Sequence, residues 1–350
     1  MRLLFVSDYH VPQKHRGTEV STHAFCRTLG AAGHAPSVAC RFTPSGLLGL
    51  QGRARMRVSG RQWARDHAAG YPTHRAWNVA RSLASIVKEA RPDAVVLQSA
   101  DYDAMLALLE QPVPVVHLFR FIPDWPDLPL RGRAVHVANS LFCQRRIEEV
   151  FGVASTVIRP MVVPEDYRTH VRPREVTGFG LSWDKGADIV VSLAEALPDI
   201  PFRIFANEPV DRLRGRDIAA RARRLRNLRV TPPRPSSGRI YARSRLVIAP
   251  SRWEETWGRI ATEAHVNGIP VLASDRGGLP EAVGAGGICL SPEAPLSEWR
   301  EALLTLFRDD AAYARYRLAA RDRAAASELS PAILCRDLLQ AAEAAIAKAA

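Results

Sequence analysis

Short apolar runs return along the whole chain, and most are followed by a stretch whose apolar residues recur at helical spacing. That alternation is the strongest constraint on the fold. Apolar runs without polar alternation are strands buried on both faces, and the intervening helices must supply the cover. The first unit is the clearest. Residues 3–7 form a short buried strand, and a polar loop follows through His10, Pro12, His15 and Gly17. An amphipathic helix over residues 19–30 is ended by Gly33, and residues 37–40 make the next strand. Further strands are expected at 94–98, 113–119 and 134–138, with Asn139 and Ser140 capping a helix over 143–151. A polar stretch punctuated by Pro160, Pro164 and Pro173 reads as a hinge. Beyond it the alternation resumes, with strands at 175–180, 202–206, 228–231, 246–249, 270–274 and 287–290 and a helix over 187–196. The tail from Ser297 reads as helical. The expected architecture is α/β: two Rossmann-like parallel-sheet lobes over residues 1–165 and 166–330. Ligands would sit outside the carboxyl ends of the strands, facing an inter-domain cleft.

Composition agrees with this. A chain of 350 residues has room for two domains, and 47% apolar with 24% charged residues is the balance of a globular protein. No apolar run approaches the ~20 residues that span a bilayer, and the opening run breaks too early for a signal peptide. A cytoplasmic protein is the expectation. The five cysteines are odd in number and widely spaced, which argues against a disulfide framework or a zinc site. The formal charge of +12 comes from arginines concentrated at 53–65 and 212–229. Such a surface suits an anionic acceptor or peripheral contact with an anionic membrane, or it is a set of solvated helix faces. Nucleic acid is not favoured, because the run 221–229 lacks interleaved aromatic residues.

The densest chemical signal lies between Pro250 and Glu281. It reads as strand end, loop, helix, strand and glycine-rich turn. Glu255 falls in the loop and Glu263 about two turns into the helix, which starts near residues 257–259. Gly258 lets a ligand approach the backbone, and the free N–H groups of a helix start attract anions. A helical carboxylate can grip paired ribose hydroxyls; the loop carboxylate can grip a second sugar.

This segment resembles the signature of the retaining GT-B glycosyltransferases of family 4, in which two glutamates are separated by seven residues. Glu255 and Glu263 have that spacing, flanked by Pro250-Ser251 before, Asn267-Gly268-Ile269-Pro270 after and Gly277-Gly278-Leu279-Pro280-Glu281 beyond. The resemblance implies donor-sugar contact by Glu255, ribose contact by Glu263, and donor contacts around Trp257, Gly258 and Arg259. Lys185 matches the family's diphosphate lysine; the arginine that usually stands five residues earlier is replaced by Gly180. Arg159, Arg252 and Arg259 are possible substitutes. The loop His10 to Glu19 resembles the family's Gly-Gly-x-Glu loop, with Arg16 in place of the first glycine and Gly17 near the donor phosphate or acceptor. His10, Arg16, His117 and Arg120 are the acceptor-side candidates, the last two at the end of a strand that could face the cleft. The final helix, residues 331–350, would cross back onto the first lobe.

The implied activity is transfer of a sugar from a nucleotide-diphosphate-sugar donor to an acceptor hydroxyl with retention, Lys185 and Glu255 being catalytic, with no metal or cofactor. The Asp101-Tyr102-Asp103 triplet reads as a helix cap rather than a metal site. An inverting transferase, a sugar-nucleotide epimerase and a degenerate sugar-nucleotide- or nucleic-acid-binding protein remain alternatives.

Overall fold

The computed structural model describes residues 1–206, 215–232 and 238–350. It divides into two compact units: Met1–Met161 with Ser330–Ala350, and Val162–Leu329.

In the first unit the opening apolar run becomes β1 (Arg2–Ser7), followed by the helix Gly17–Ala31 and β2 (Ala35–Arg41). Then come β3 (Trp63–Asp66), β4 (Thr73–Ala76), β5 (Ala94–Leu97), β6 (Val115–Phe119), β7 (Val135–Ala138) and β8 (Thr156–Val157). The sheet order is β3-β4-β2-β1-β5-β6-β7-β8. All pairings are parallel except β3 with β4. That hairpin departs from the all-parallel expectation. Its polar strands are fixed by a buried ion pair in which Arg75 Nε donates to Asp66 Oδ2 at 2.7 Å. Both faces of the central strands are buried, with Leu4, Val6, Val95, Leu97 and Val115 enclosed on one and Leu3, Phe5 and Val96 on the other. The helix Pro331–Ala349 packs on β5, β6 and β7, and Lys348 Nζ donates to the Ala134 carbonyl at 3.0 Å.

The second unit holds β9 (Glu175–Phe179), β10 (Phe202–Phe205), β11 (Leu228–Thr231), β12 (Ser244–Ala249), β13 (Val271–Ser274) and β14 (Gly287–Leu290). They form one parallel sheet in the order β11-β10-β9-β12-β13-β14. Arg212 and Arg214 of the arginine-rich stretch lie outside the described residues. The helix Gly215–Arg224 that follows buries Ile218 and Ala222 and turns Arg221 onto Glu195 at 2.6 Å, a solvated ion pair. All five cysteines are free thiols, four of them buried. Among the described residues no helix is long and apolar enough to cross a membrane.

Both sheets are doubly wound. Strand order reverses at β1, flanked by β2 and β5, and at β9, flanked by β10 and β12. In such sheets the loops leaving the carboxyl ends at the reversal diverge and leave room for a ligand.

Candidate functional site

At the reversal of the second sheet, the loops leaving β9 and β12 carry Lys185 and Glu255. The first loop opens at Gly180 (φ +82°) and closes in a turn where Lys185 N donates to Ser182 O and Gly186 N to Trp183 O. Gly186 (φ +67°) then caps the helix Ala187–Ala196. The second loop is stapled to it. The Asp184 carbonyl accepts from Arg252 N at 2.8 Å, from Trp253 N at 3.2 Å and from Ser251 Oγ at 3.2 Å. A Cβ on Gly186 would stand 2.0 Å from the Pro250 carbonyl oxygen, so only glycine lets the loops meet. The result is a direct ion pair, with Lys185 Nζ donating to Glu255 Oε1 at 2.9 Å and both side chains half-buried.

A third segment braces the same loop. Gly278 N donates to the Glu255 carbonyl at 2.6 Å, and a Cβ on Gly277 (φ +62°) would lie 2.3 Å from that oxygen. Ser274 Oγ at the end of β13 donates to Ser251 O at 2.6 Å. The Gly-Gly turn therefore acts through close backbone packing.

Glu263 lies one turn, not two, into its helix, which runs Arg259–His265 after the cap Gly258 (φ +99°). The correction follows from Gly258, whose left-handed backbone holds the start at Arg259. Burial pushes the Tyr241 hydroxyl well above its usual pKa and keeps it a donor to Glu263 Oε2 at 2.7 Å. Arg259 donates to Glu263 Oε1 at 3.1 Å and to the Tyr167 hydroxyl at 2.9 Å. The ribose carboxylate read from the sequence is thus enclosed and held on both oxygens; a ligand hydroxyl must share them.

Two donor-side expectations are corrected by packing. The Trp257 indole is 2% exposed, sits in the core beneath this helix, and donates to Thr262 Oγ1 at 3.1 Å. The Arg259 guanidinium is spent on Glu263 and Tyr167. Arg252, the other substitute cation of this unit, forks onto Asp188 at 2.7 and 2.9 Å and lies over the Trp183 ring at 4.5 Å. Gly180 itself explains the missing arginine: a Cβ there would lie 2.8 Å from Lys185 Cγ.

Residues 180–309, which contain this whole arrangement, match the family described as glycosyl transferases group 1. A D-inositol 3-phosphate glycosyltransferase of Corynebacterium glutamicum is 38% identical over 89 residues, 24% of this chain and 21% of that protein. A second, from Corynebacterium aurimucosum, is 32% identical over 140 residues, 36% of this chain and 32% of that protein. The match to the first of these curated relatives therefore spans about a fifth of its length. Solved structures agree over far more of the chain. A glycosyltransferase from Rickettsia africae superposes with a TM-score of 0.75 at 15% identity, covering 98% of both chains. Anabaena HepE in complex with UDP-glucose gives a TM-score of 0.77 at 17% identity, covering 98% of this chain and 100% of that one. The fold is GT-B.

In the first GT-B unit, the loop after β1 carries the remaining candidates. Gly17 begins the 15-residue helix Gly17–Ala31, and it and its cap Arg16 are exposed. Arg16 N donates to Glu19 Oε2 at 3.0 Å. His10 is 1% exposed; its Nε2 shares a 2.7 Å hydrogen bond with the Tyr71 hydroxyl, which also meets His23 Nδ1 at 2.7 Å. Burial, with Arg75 adding to it, pushes His10 down to about 3, so its imidazole stays neutral. His117 does not end its strand. It is the middle residue of β6, stacked on Phe119 at 4.0 Å, and burial again lowers it to about 3. Arg120 is nearly enclosed, donating to Gln98 Oε1 at 3.2 Å. Asp101 caps its helix through Asp103 N at 3.1 Å, as read from the sequence. Among the described residues no group of three His, Cys, Asp or Glu side chains is placed to hold a metal ion.

Tyr241, Asp188 and Asp184 were not legible as site residues. Their partners lie 22, 64 and 68 residues away along the chain, and no local pattern reports such contacts.

Proposed function

We propose that the chain is a retaining glycosyltransferase that moves a sugar from a nucleotide-diphosphate-sugar donor to an acceptor hydroxyl without a metal. The observation that carries this is the Lys185–Glu255 pair at the reversal of the second sheet, inside the segment that matches the glycosyl transferase family. An ammonium there would neutralise a leaving diphosphate as charge grows on it. Donor binding would draw Lys185 from Glu255 and free that carboxylate for the sugar hydroxyls. Glu263 would take the ribose.

The bond between the sugar's anomeric carbon and the diphosphate breaks, and the glycosidic bond forms on the same face. The acceptor proton passes to the departing phosphate oxygen, so no side-chain base is required. That suits a first unit whose buried histidines are held neutral. Arg16, exposed at the cap of a long helix, remains an acceptor-side candidate, and Gly17 at the helix start would lie near the donor phosphate or the acceptor. HepE was solved with UDP-glucose, which makes uridine diphosphate sugars the first donors to test. The name of the Corynebacterium relatives makes a phosphorylated polyol the first acceptor.

Calorimetry with UDP and UDP-glucose, paired with product analysis by NMR, tests the reading. Glu263→Ala should weaken UDP binding about tenfold or more, the loss of charge-assisted hydrogen bonds. Glu255→Ala should leave UDP affinity near that of the parent and cut turnover by at least about a hundredfold. Unchanged UDP affinity in the first variant rejects the ribose role, full turnover in the second rejects the donor-sugar role, and an inverted product rejects retention.

A further inference from the structure

The helix Gly46–Ser59 of the first unit leaves its larger apolar residues outside. Its inward face is Gly49, Gly52 and Met56. A Cβ on Gly52 would stand 2.5 Å from the Phe42 ring and one on Gly49 2.4 Å from the Pro44 carbonyl oxygen, so the helix lies hard against the segment that leads into it. At ~100° per residue, Leu47, Ala54 and Val58 fall on one outward stripe, with Leu50 beside it. These residues are not covered: Leu47 is 71%, Leu50 57% and Val58 90% exposed. Arg53 and Arg57 flank the stripe on one side and Arg55 on the other. Next to it a hollow of about 300 Å³ is lined by Arg53, Arg57, Arg61 and the half-exposed Trp77.

We propose that this face docks on an anionic lipid bilayer. The apolar stripe enters the acyl boundary, the arginines reach the phosphates on either side, and the arginine-lined hollow takes a lipid headgroup. An indole beside the hollow sits where tryptophan favours the membrane–water interface. A second copy of the chain is a poorer occupant. A two-fold contact on this stripe would set arginine flanks of one sign against each other. The inference stands independently of the transfer reaction.

Flotation of the full chain with phosphatidylcholine vesicles, with and without about 30% phosphatidylglycerol, tests it. The anionic vesicles should bind at least about tenfold more tightly than the neutral ones, and less so as salt rises. Leu47→Glu with Val58→Glu should lower that binding about tenfold or more, and so should Arg53→Glu with Arg57→Glu. All four positions are solvent-exposed, so the circular dichroism melt should not change. The proposal is overturned if the parent fails to float with anionic vesicles, or if both double variants float like the parent. It is also overturned if sedimentation shows a dimer that the Leu47/Val58 change dissolves while lipid binding is absent.

Discussion

Gly180 shows a backbone requirement overruling a side chain. The position corresponds to the usual diphosphate arginine, yet its φ of +82° is costly for any L side chain, and a Cβ would press on the stem of Lys185. With Gly180 in the left-handed region and the Lys185 stem packed against it, an arginine at this position would have to shift the turn. Restoring the arginine should therefore harm the protein. Gly180→Arg is expected to cost about 1–3 kcal/mol of stability and to reduce turnover by displacing Lys185 from Glu255. Chemical denaturation beside a donor-hydrolysis assay measures both, and a variant as stable as the parent with faster turnover would sink the account. The same residue marks what the sequence could say of the site. The spacing of Glu255 and Glu263 and the presence of Lys185 were readable because they lie in one short segment or one turn. That Glu263 is clasped by Tyr241 and Arg259, or that Arg252 is tied to Asp188, depends on which elements the sheet brings side by side.

Among elements, legibility followed the apolar character of a run rather than its burial: β4 is wholly buried, yet its Thr73, His74 and Arg75 hid it. Strands enclosed on both faces, such as β1, β5 and β12, appear in the sequence as apolar runs, and β11 and β14 coincide with their expected bounds. The β3–β4 hairpin was missed because it carries charges inward. Arg75 is 1% and Asp66 7% exposed, and Arg75 also donates to the Val11 carbonyl at 2.8 Å and to Gln13 Oε1 at 3.2 Å. The helix Gly46–Ser59 escaped for the opposite reason, its larger apolar residues facing out. The hairpin makes an energetic prediction. Asp66→Ala leaves a guanidinium buried without its carboxylate and should cost about 3–5 kcal/mol. The double change Asp66→Leu with Arg75→Met removes both charges and should cost less. Equal losses in the two proteins, followed by urea unfolding, would show that the pair is not what holds β3 to β4.

Over the whole molecule, acid is the condition to which these buried histidines respond together. His10 and His117 in the first unit and His265 in the second are held down to about 3, 3 and 4, in each case chiefly by burial. His265 is wholly enclosed, and Arg323 adds to its shift. In the unfolded chain each returns to about 6.5. Below that pH the unfolded state binds protons that the folded state refuses, so the stabilisation present at neutral pH is lost as pH falls from about 6.5 toward 4. Each histidine contributes a slope of up to about 1.4 kcal/mol per pH unit across that window. Two of the three belong to the first unit, whose acid limb should therefore be the steeper. His117→Phe is the discriminating variant: the ring is already stacked on Phe119 at 4.0 Å and near Trp125, so phenylalanine keeps the packing and removes one proton site. Melting temperatures between pH 7.5 and about 4.5 should fall less steeply for His117→Phe than for the parent, with the two closest near neutral pH and furthest apart at the acid end. If the curves run parallel, His117 is protonated in the folded protein and the aromatic cluster around it is open to water.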